Sequence, residues 1–279
     1  MHRPKPPDRA QGPLGRTFDR VQEEALHSAL ESPAPDWKVI LVLLTTAVTL
    51  TIQQYVFRSG NLDRALDVLQ RLGLTGVVEA LRSRLVSPQD RQLAGLIYWA
   101  AGCAVTYVLL PGLVVKLVFR ERLRDYGLRV RGILAGSWIY LVLLAAMIGP
   151  LLYFSTTAGF QAKYPFYDPA PGEPFWPRLW TWELCYVAQF FALEFFFRGF
   201  MIHGTRHRLG FYSIFVMTVP YCMIHYGKPM PETFGAIGAG VILGFMSLKT
   251  RSIWLGALLH VAVALSMDFL ALWHKGMLT

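Results

Sequence analysis

Apolar stretches alternate with short polar connections along most of the chain, and each stretch is long enough to matter for a bilayer. Trp37 to Phe57 reads as a first spanning helix, ended by Arg58. Leu93 to Phe119 and Gly132 to Phe154 read as the second and third, with Pro111 a kink point in the second. A fourth runs from about Trp180 to Ile202, and a fifth from about Leu209 to His225, broken by Gly227, Pro229 and Pro231. Thr233 to Leu248 and Ile253 to about Trp273 complete the set. The pattern predicts an all-α, polytopic transmembrane helix bundle of about seven spans.

Between the first two spans the period changes. Leu62, Ala65, Leu66, Leu69 and Leu72 recur at helical spacing between Asp63, Arg64, Asp67 and Arg71, and Val77, Val78, Leu81 and Leu85 repeat the pattern. Segment 61–86 is therefore expected as one or two amphipathic helices lying on the membrane or on the bundle. Residues 1–36 form a polar arm with Pro4, Pro6, Pro7, Pro13, Pro33 and Pro35, in which only Phe18 to Leu30 reads as a helix and the rest as loosely ordered. No signal-peptide pattern is seen there. Residues 155–177, with Tyr164, Phe166, Tyr167, Phe175 and Trp176, suggest an interfacial loop or lid. Ala236, Gly240 and Gly244 form a small-residue row that invites a close neighbour. Glu232 suits the first turn of the helix it opens. These features divide the chain into an arm (1–36), a first membrane part (37–178) and a last part (179–279).

Composition agrees with the pattern: 54% of the 279 residues are hydrophobic and only 16% charged, where soluble domains run nearer a quarter charged. The net charge of +9 fits cytoplasmic loops better than nucleic acid, for which no zinc-finger or RNA-binding signature is present. Lys116, Arg120, Arg122, Arg124, Arg129 and Arg131 follow the second span, and His203 to Arg208 follow the fourth. The positive-inside rule thus places the N-terminus in the cytoplasm, in a cell (inner) membrane. The segment after span one, with six Arg and four acids, runs against that bias. Cys103, Cys185 and Cys222 lie in apolar stretches without paired spacing and read as small core residues.

Candidate chemistry concentrates in the last part. Glu194 and Arg198 are the only charges between Phe190 and Phe200, and four residues apart they share a helix face. A carboxylate at membrane depth costs at least ~2.5–3.5 kcal/mol, so something must offset it. His225 and His260 stand in late apolar helices. A carboxylate can take a proton from water, and imidazoles can position that water or donate to an oxyanion. The same three groups could hold zinc, but His-Glu-x-x-His is absent. Counting 1.5 Å per residue puts Glu194 and His260 ~10–12 Å from the basic side, with His225 deeper, so that the three meet only if the fifth helix starts outside the bilayer or bends near Pro220. His203 and His207, spaced i, i+4, are a weaker ligand pair. Glu183 reads as an interfacial carboxylate beside Trp180 and Trp182, and Asp268 lies two turns beyond His260.

These motifs resemble the CPBP group, the CAAX protease and bacteriocin-processing intramembrane endopeptidases. Its first motif, Glu-Glu-x-x-x-Arg, reads here as Leu193-Glu194-Phe195-Phe196-Phe197-Arg198, followed by Gly199. The second, Phe-x-x-x-His, reads as Tyr221 to His225, and the third, His-x-x-x-Asn/Asp, as His260 to Ala264. The resemblance covers roughly Trp180 to Phe269. It implies an endopeptidase of membrane-anchored proteins or peptides, with Glu194 as general base, Arg198 orienting it, and His225 and His260 binding the water or oxyanion. Leu193 and Ala264 depart from the pattern at the usual base and at the third motif's polar end. Leu193 points about 100° from Glu194 on an α-helix, so a base at 194 calls for a rotated helix or a different water position. A metal-free site is favoured, because Arg198 would compete with a metal for Glu194. If metal binds, Glu194, His225 and His260 would be its ligands. The alternative function is a non-catalytic membrane scaffold or immunity protein of the same family.

Overall fold

A computed structural model describes residues 13–31, 34–130, 137–168 and 176–278. Arg131, Gly132, Phe175 and residues 1–12 and 32–33 of the Pro-rich arm lie outside them. The described residues are helical apart from connections and one isolated bridge, Leu128 with Ser252. In chain order the helices are α1 (Pro13–Glu31), α2 (Trp37–Tyr55), α3 (Leu62–Arg71), α4 (Thr75–Arg82), α5 (Pro88–Val118), α6 (Ser137–Ser155), α7 (Arg178–Leu209), α8 (Tyr212–Met223), α9 (Met230–Thr250) and α10 (Trp254–His274). Six of these, α2, α5, α6, α7, α9 and α10, are long and apolar enough to cross a bilayer. The fifth expected span, α8, is apolar but only 12 residues long, which at 1.5 Å per residue reaches about 18 Å. The chain is an integral membrane helix bundle.

Burial places the core on α7. In its most apolar window 78% of α7 is buried, against 6% for α6, which packs along one side on α9 and α10 and leaves the rest exposed. The Phe-rich run of α7 packs on three sides. Phe196 stacks on Tyr107 of α5 at 5.0 Å, Phe197 meets Tyr221 of α8 at 5.2 Å, and Phe190 meets His260 of α10 at 4.4 Å. Small residues permit close approach where side chains would collide. A Cβ on Gly240 would lie 2.9 Å from Thr218 Oγ1, and one on Gly244 3.0 Å from Ile214, so the small row of α9 seats α8 as its spacing predicts.

Ends of helices are fixed by specific donors and acceptors. Asp36 caps α2 by accepting from the amides of Lys38 (3.0 Å) and Val39 (3.1 Å), and reaches His207 of α7 at 2.7 Å. Burial pushes the Asp36 carboxyl up, but these bonds outweigh it and hold it below its ordinary value. Ser87 caps α5 through the Asp90 amide, with Pro88 in the first turn.

Two regions differ from expectation. The arm's helix runs longer than Phe18 to Leu30 and is packed: Val21 is fully buried, Phe18 lies 4.5 Å from Phe211, and Arg208 Nη1 donates to the Ser28 carbonyl. Of the loop at 155–177, the described part turns inward. Phe160, Tyr164 and Tyr167 are buried, and the Tyr164 hydroxyl donates to Glu232 at 2.8 Å. Those rings bury more apolar area against α7 and α10 than a headgroup position would offer. In the amphipathic segment, α3 and α4 bury only Leu66 and Val78 and leave Leu72, Val77 and Leu81 exposed.

Gly199 yields a direct test of packing. A Cβ there would stand 2.6 Å from the Tyr126 carbonyl oxygen, a backbone atom that cannot swing aside. Gly199→Ala is expected to destabilise the protein by about 1–3 kcal/mol. Gly238→Ala, where nothing lies within 4 Å, should leave the melting temperature in detergent unchanged.

Candidate active site

The site grows from one irregularity in α7. Ordinary helix runs to Glu194, and the next seven residues, Phe195–Met201, form wide π-helical turns before α-geometry resumes at Ile202. Such turns hold extra residues per turn and shift side chains around the axis. They begin after Glu194, so Leu193 and Glu194 keep ordinary α-helical spacing and the change falls between Glu194 and Arg198. Loose helix bonds leave polar backbone to be satisfied elsewhere, and Ser247 Oγ of α9 donates to the Arg198 carbonyl at 3.1 Å.

Glu194 is fully buried, and its Oε1 is the meeting point of two helices. Arg198 Nη1 approaches it at 3.1 Å and His260 Nδ1 of α10 at 2.9 Å. The guanidinium carbon lies over the Tyr221 ring, 3.8 Å from its centroid, and Nη2 donates to the Ala239 carbonyl at 3.5 Å. Tyr221 is also where the histidines converge. Its ring centroid is 4.8 Å from that of His225 and 6.4 Å from that of His260. His225 lies just beyond the end of α8, in the turn that leads to α9. The structure thus gathers Glu194, Arg198 and His260 directly, and brings in His225 across Tyr221.

Hydrogen bonding decides what each imidazole can do. His225 Nδ1 faces the Tyr221 carbonyl at 2.8 Å, and a carbonyl can only accept, so that nitrogen carries the proton. His260 Nδ1 faces a carboxylate and likewise donates. In their neutral forms both rings therefore present Nε2 as an acceptor. Acceptors suit a water and do not suit an oxyanion. Glu194 Oε2, by contrast, is buried without a donor, its surroundings including the backbone of Gly256. Of the hydrogen-bonded trio only His260, 15% exposed at its side chain, offers an accessible polar face.

The other candidates separate. Leu193 and Ala264 are buried among apolar side chains. His203 Nε2 is 3.0 Å from Ser247 Oγ, while His207 turns to Asp36, so the two do not form a ligand pair. Among the described residues no three His, Cys, Asp or Glu side chains are gathered to hold a metal. Glu194 Oε1 is already held by His260 and Arg198, and there the guanidinium would compete with a metal ion for the carboxylate. Glu183 is not interfacial: it is 2% exposed and sits against Asp268 of α10.

A helix carrying a buried Glu–Arg pair, followed by two helices that deliver histidines to the same ring, matches a known sequence family. Residues 174–266 match the Rce1-like family, described as type II CAAX prenyl endopeptidase Rce1-like. The resemblance to the CPBP group holds for this Rce1-like segment. It covers about a third of the chain and contains all four candidate residues. No curated protein and no solved structure matches the chain. Tyr221, which stands where the second motif has Phe, is not singled out by the sequence. The signal was its place four residues before His225, which puts one ring beside the next turn's side chain.

Proposed function

We propose that the protein is an intramembrane endopeptidase that hydrolyses membrane-anchored proteins or peptides, and that His260 and Glu194 act as a unit. The observation that carries this reading is the 2.9 Å bond from His260 Nδ1 to a carboxylate held by Arg198, with Nε2 left as the acceptor. Water bound at His260 Nε2 gives up a proton as its oxygen attacks the scissile carbonyl carbon. The imidazolium that forms is stabilised by the ionised Glu194 behind it. The same proton then passes to the leaving amine as the C–N bond breaks. His225 Nε2 accepts the second hydrogen of the water and so fixes its direction. In this reading Glu194 serves as base through His260, where the motifs alone suggested that it meets the water itself. Arg198 keeps Glu194 charged and in place.

The test is cleavage of lipid-anchored and single-span peptides by purified wild type beside Glu194→Gln. The reading expects turnover by the wild type and roughly a 10²–10⁴-fold loss in the variant. Equal turnover in the two would remove Glu194 from the mechanism, and none from either would instead favour a scaffold or immunity role, to which the apolar Leu193 and Ala264 lend weight. The same preparations test for metal. Activity is expected to survive exhaustive chelation, with less than stoichiometric zinc. One zinc per chain, with activity lost to chelator and restored by zinc, would overturn the metal-free form alone.

We also place the N-terminus and residues 202–208 on the cytoplasmic side of a cell (inner) membrane, on the Lys and Arg bias. A reporter fused within 202–208 that reads as extracytoplasmic would reverse this orientation and the side from which substrate enters.

A further inference from the structure

The most costly feature outside the proposed site is a second pair of carboxyl groups inside the bundle. Glu183 of α7 is 2% exposed and Asp268 of α10 fully buried, and the two lie within hydrogen-bonding reach of each other. One oxygen, Asp268 Oδ2, accepts from Trp182 Nε1 at 3.3 Å. The Phe166 backbone amide also donates to Asp268. Both oxygens of Glu183, and Asp268 Oδ1, are buried without a donor. The groups that face the pair are the phenols of Tyr164 and Tyr186, Glu232, and Lys228. Lys228 is already paired with Glu232 at 2.6 Å, and Tyr164 also donates to Glu232, so neither neutralises the pair.

Two ionised carboxylates in contact and out of water repel each other, with three acceptors left empty. A single proton relieves that repulsion: it turns one acid into a donor and the contact into a charge-assisted O–H···O bond. We propose that Glu183 and Asp268 share one proton and, through it, hold α7 against α10 in the register that joins Glu194 to His260.

The placement supports a positioning role. Glu183 precedes Glu194 by 11 residues, about 16 Å of helix, and Asp268 follows His260 by eight, about 12 Å. The pair therefore pins the same two antiparallel helices at a second point, with Tyr186 and Phe190 filling the interval. Separated carboxyl groups are ionised at neutral pH, so the joined state holds one proton more. Raising the pH then loosens the contact, up to tenfold per pH unit in the ratio of joined to separated helices.

The role in catalysis rests on the protease reading, but the shared proton does not, and the experiment keeps them apart. Infrared spectra of the purified full chain in detergent should show a carboxylic-acid C=O band at neutral pH. It should shift in deuterium oxide and be absent from Glu183→Gln/Asp268→Asn, whose amides keep the shape and can bond to one another. The wild type should melt at progressively lower temperature as pH rises, and the double variant should lose that slope. Identical acid-region spectra in the two proteins, or an unchanged slope, would overturn the proposal. If the double variant does not insert, Asp268→Asn alone carries the same spectral comparison. If cleavage is also found, the double variant should lose the alkaline fall in kcat while keeping KM.

Discussion

Purified His260→Ala protein is expected to insert and fold, yet to cleave membrane-anchored peptides roughly 10²–10⁴-fold more slowly than wild type, the usual contribution of a positioned general base. Three features support so large an effect. The ring is the accessible member of the trio, its Nδ1 is committed to Glu194, and its Nε2 is free to accept. Removing it leaves Glu194 paired with Arg198, so the buried charge stays compensated and the fold should survive. His225→Ala is expected to lose cleavage as well, because the water would lose its second acceptor. A core role makes the opposite forecast for both variants: lower thermal stability, with normal turnover in the protein that remains folded. Wild-type rates in a folded variant would remove that histidine from the mechanism.

Arg198→Met should produce the largest loss of stability of any single change in α7. The guanidinium is the cation that faces Glu194 at 3.1 Å, with both side chains 1% exposed. Breaking a buried pair by removing one partner typically costs about 3–5 kcal/mol, because the other charge stays unpaired. The double variant Glu194→Gln/Arg198→Met should recover part of that loss, since it strands no charge. Arg198→Lys should rescue poorly. A point ammonium cannot bond Glu194, reach the Ala239 carbonyl and lie over Tyr221 together. Unfolding in detergent by heat or denaturant measures all three. A double variant no more stable than Arg198→Met would show that the charge pair is not what the arginine contributes.

How much of this was legible in the chain follows from which forces are local. Hydropathy and length mark the spans, because backbone in lipid must bond to itself. Glu194 stood out because charge in an apolar run is costly, and its four-residue spacing to Arg198 carried through to the 3.1 Å contact. The wide turns after Glu194 were not legible, since Phe195 to Phe197 read equally well in either helix type and the choice is made by packing on α5 and α9. The same limit applies to Glu183. Two tryptophans nearby suggest a headgroup setting, and only the fold reveals that Asp268, 85 positions later, occupies the space beside it. The aromatic loop misled for a related reason. Aromatic residues serve both interfaces and cores, and Tyr164 goes inward because Glu232 waits there as its acceptor.

The wide turns also divide the longest helix into two mechanical parts. Upstream, Glu183, Phe190 and Glu194 address α10. Downstream, Gly204 lies against Val42 of α2, and His207 ties to Asp36 at the head of that helix. A uniform α-helix would transmit any twist of one part to the other with fixed phase. Here the intervening coil is underwound and its Arg198 carbonyl is held from the side by Ser247, so the phase between the part facing α10 and the part moored to α2 is set by packing on α9 and not by the α-helical repeat alone. The seam falls immediately after Glu194, so the ion pair that Glu194 makes with Arg198 spans the change of helix type.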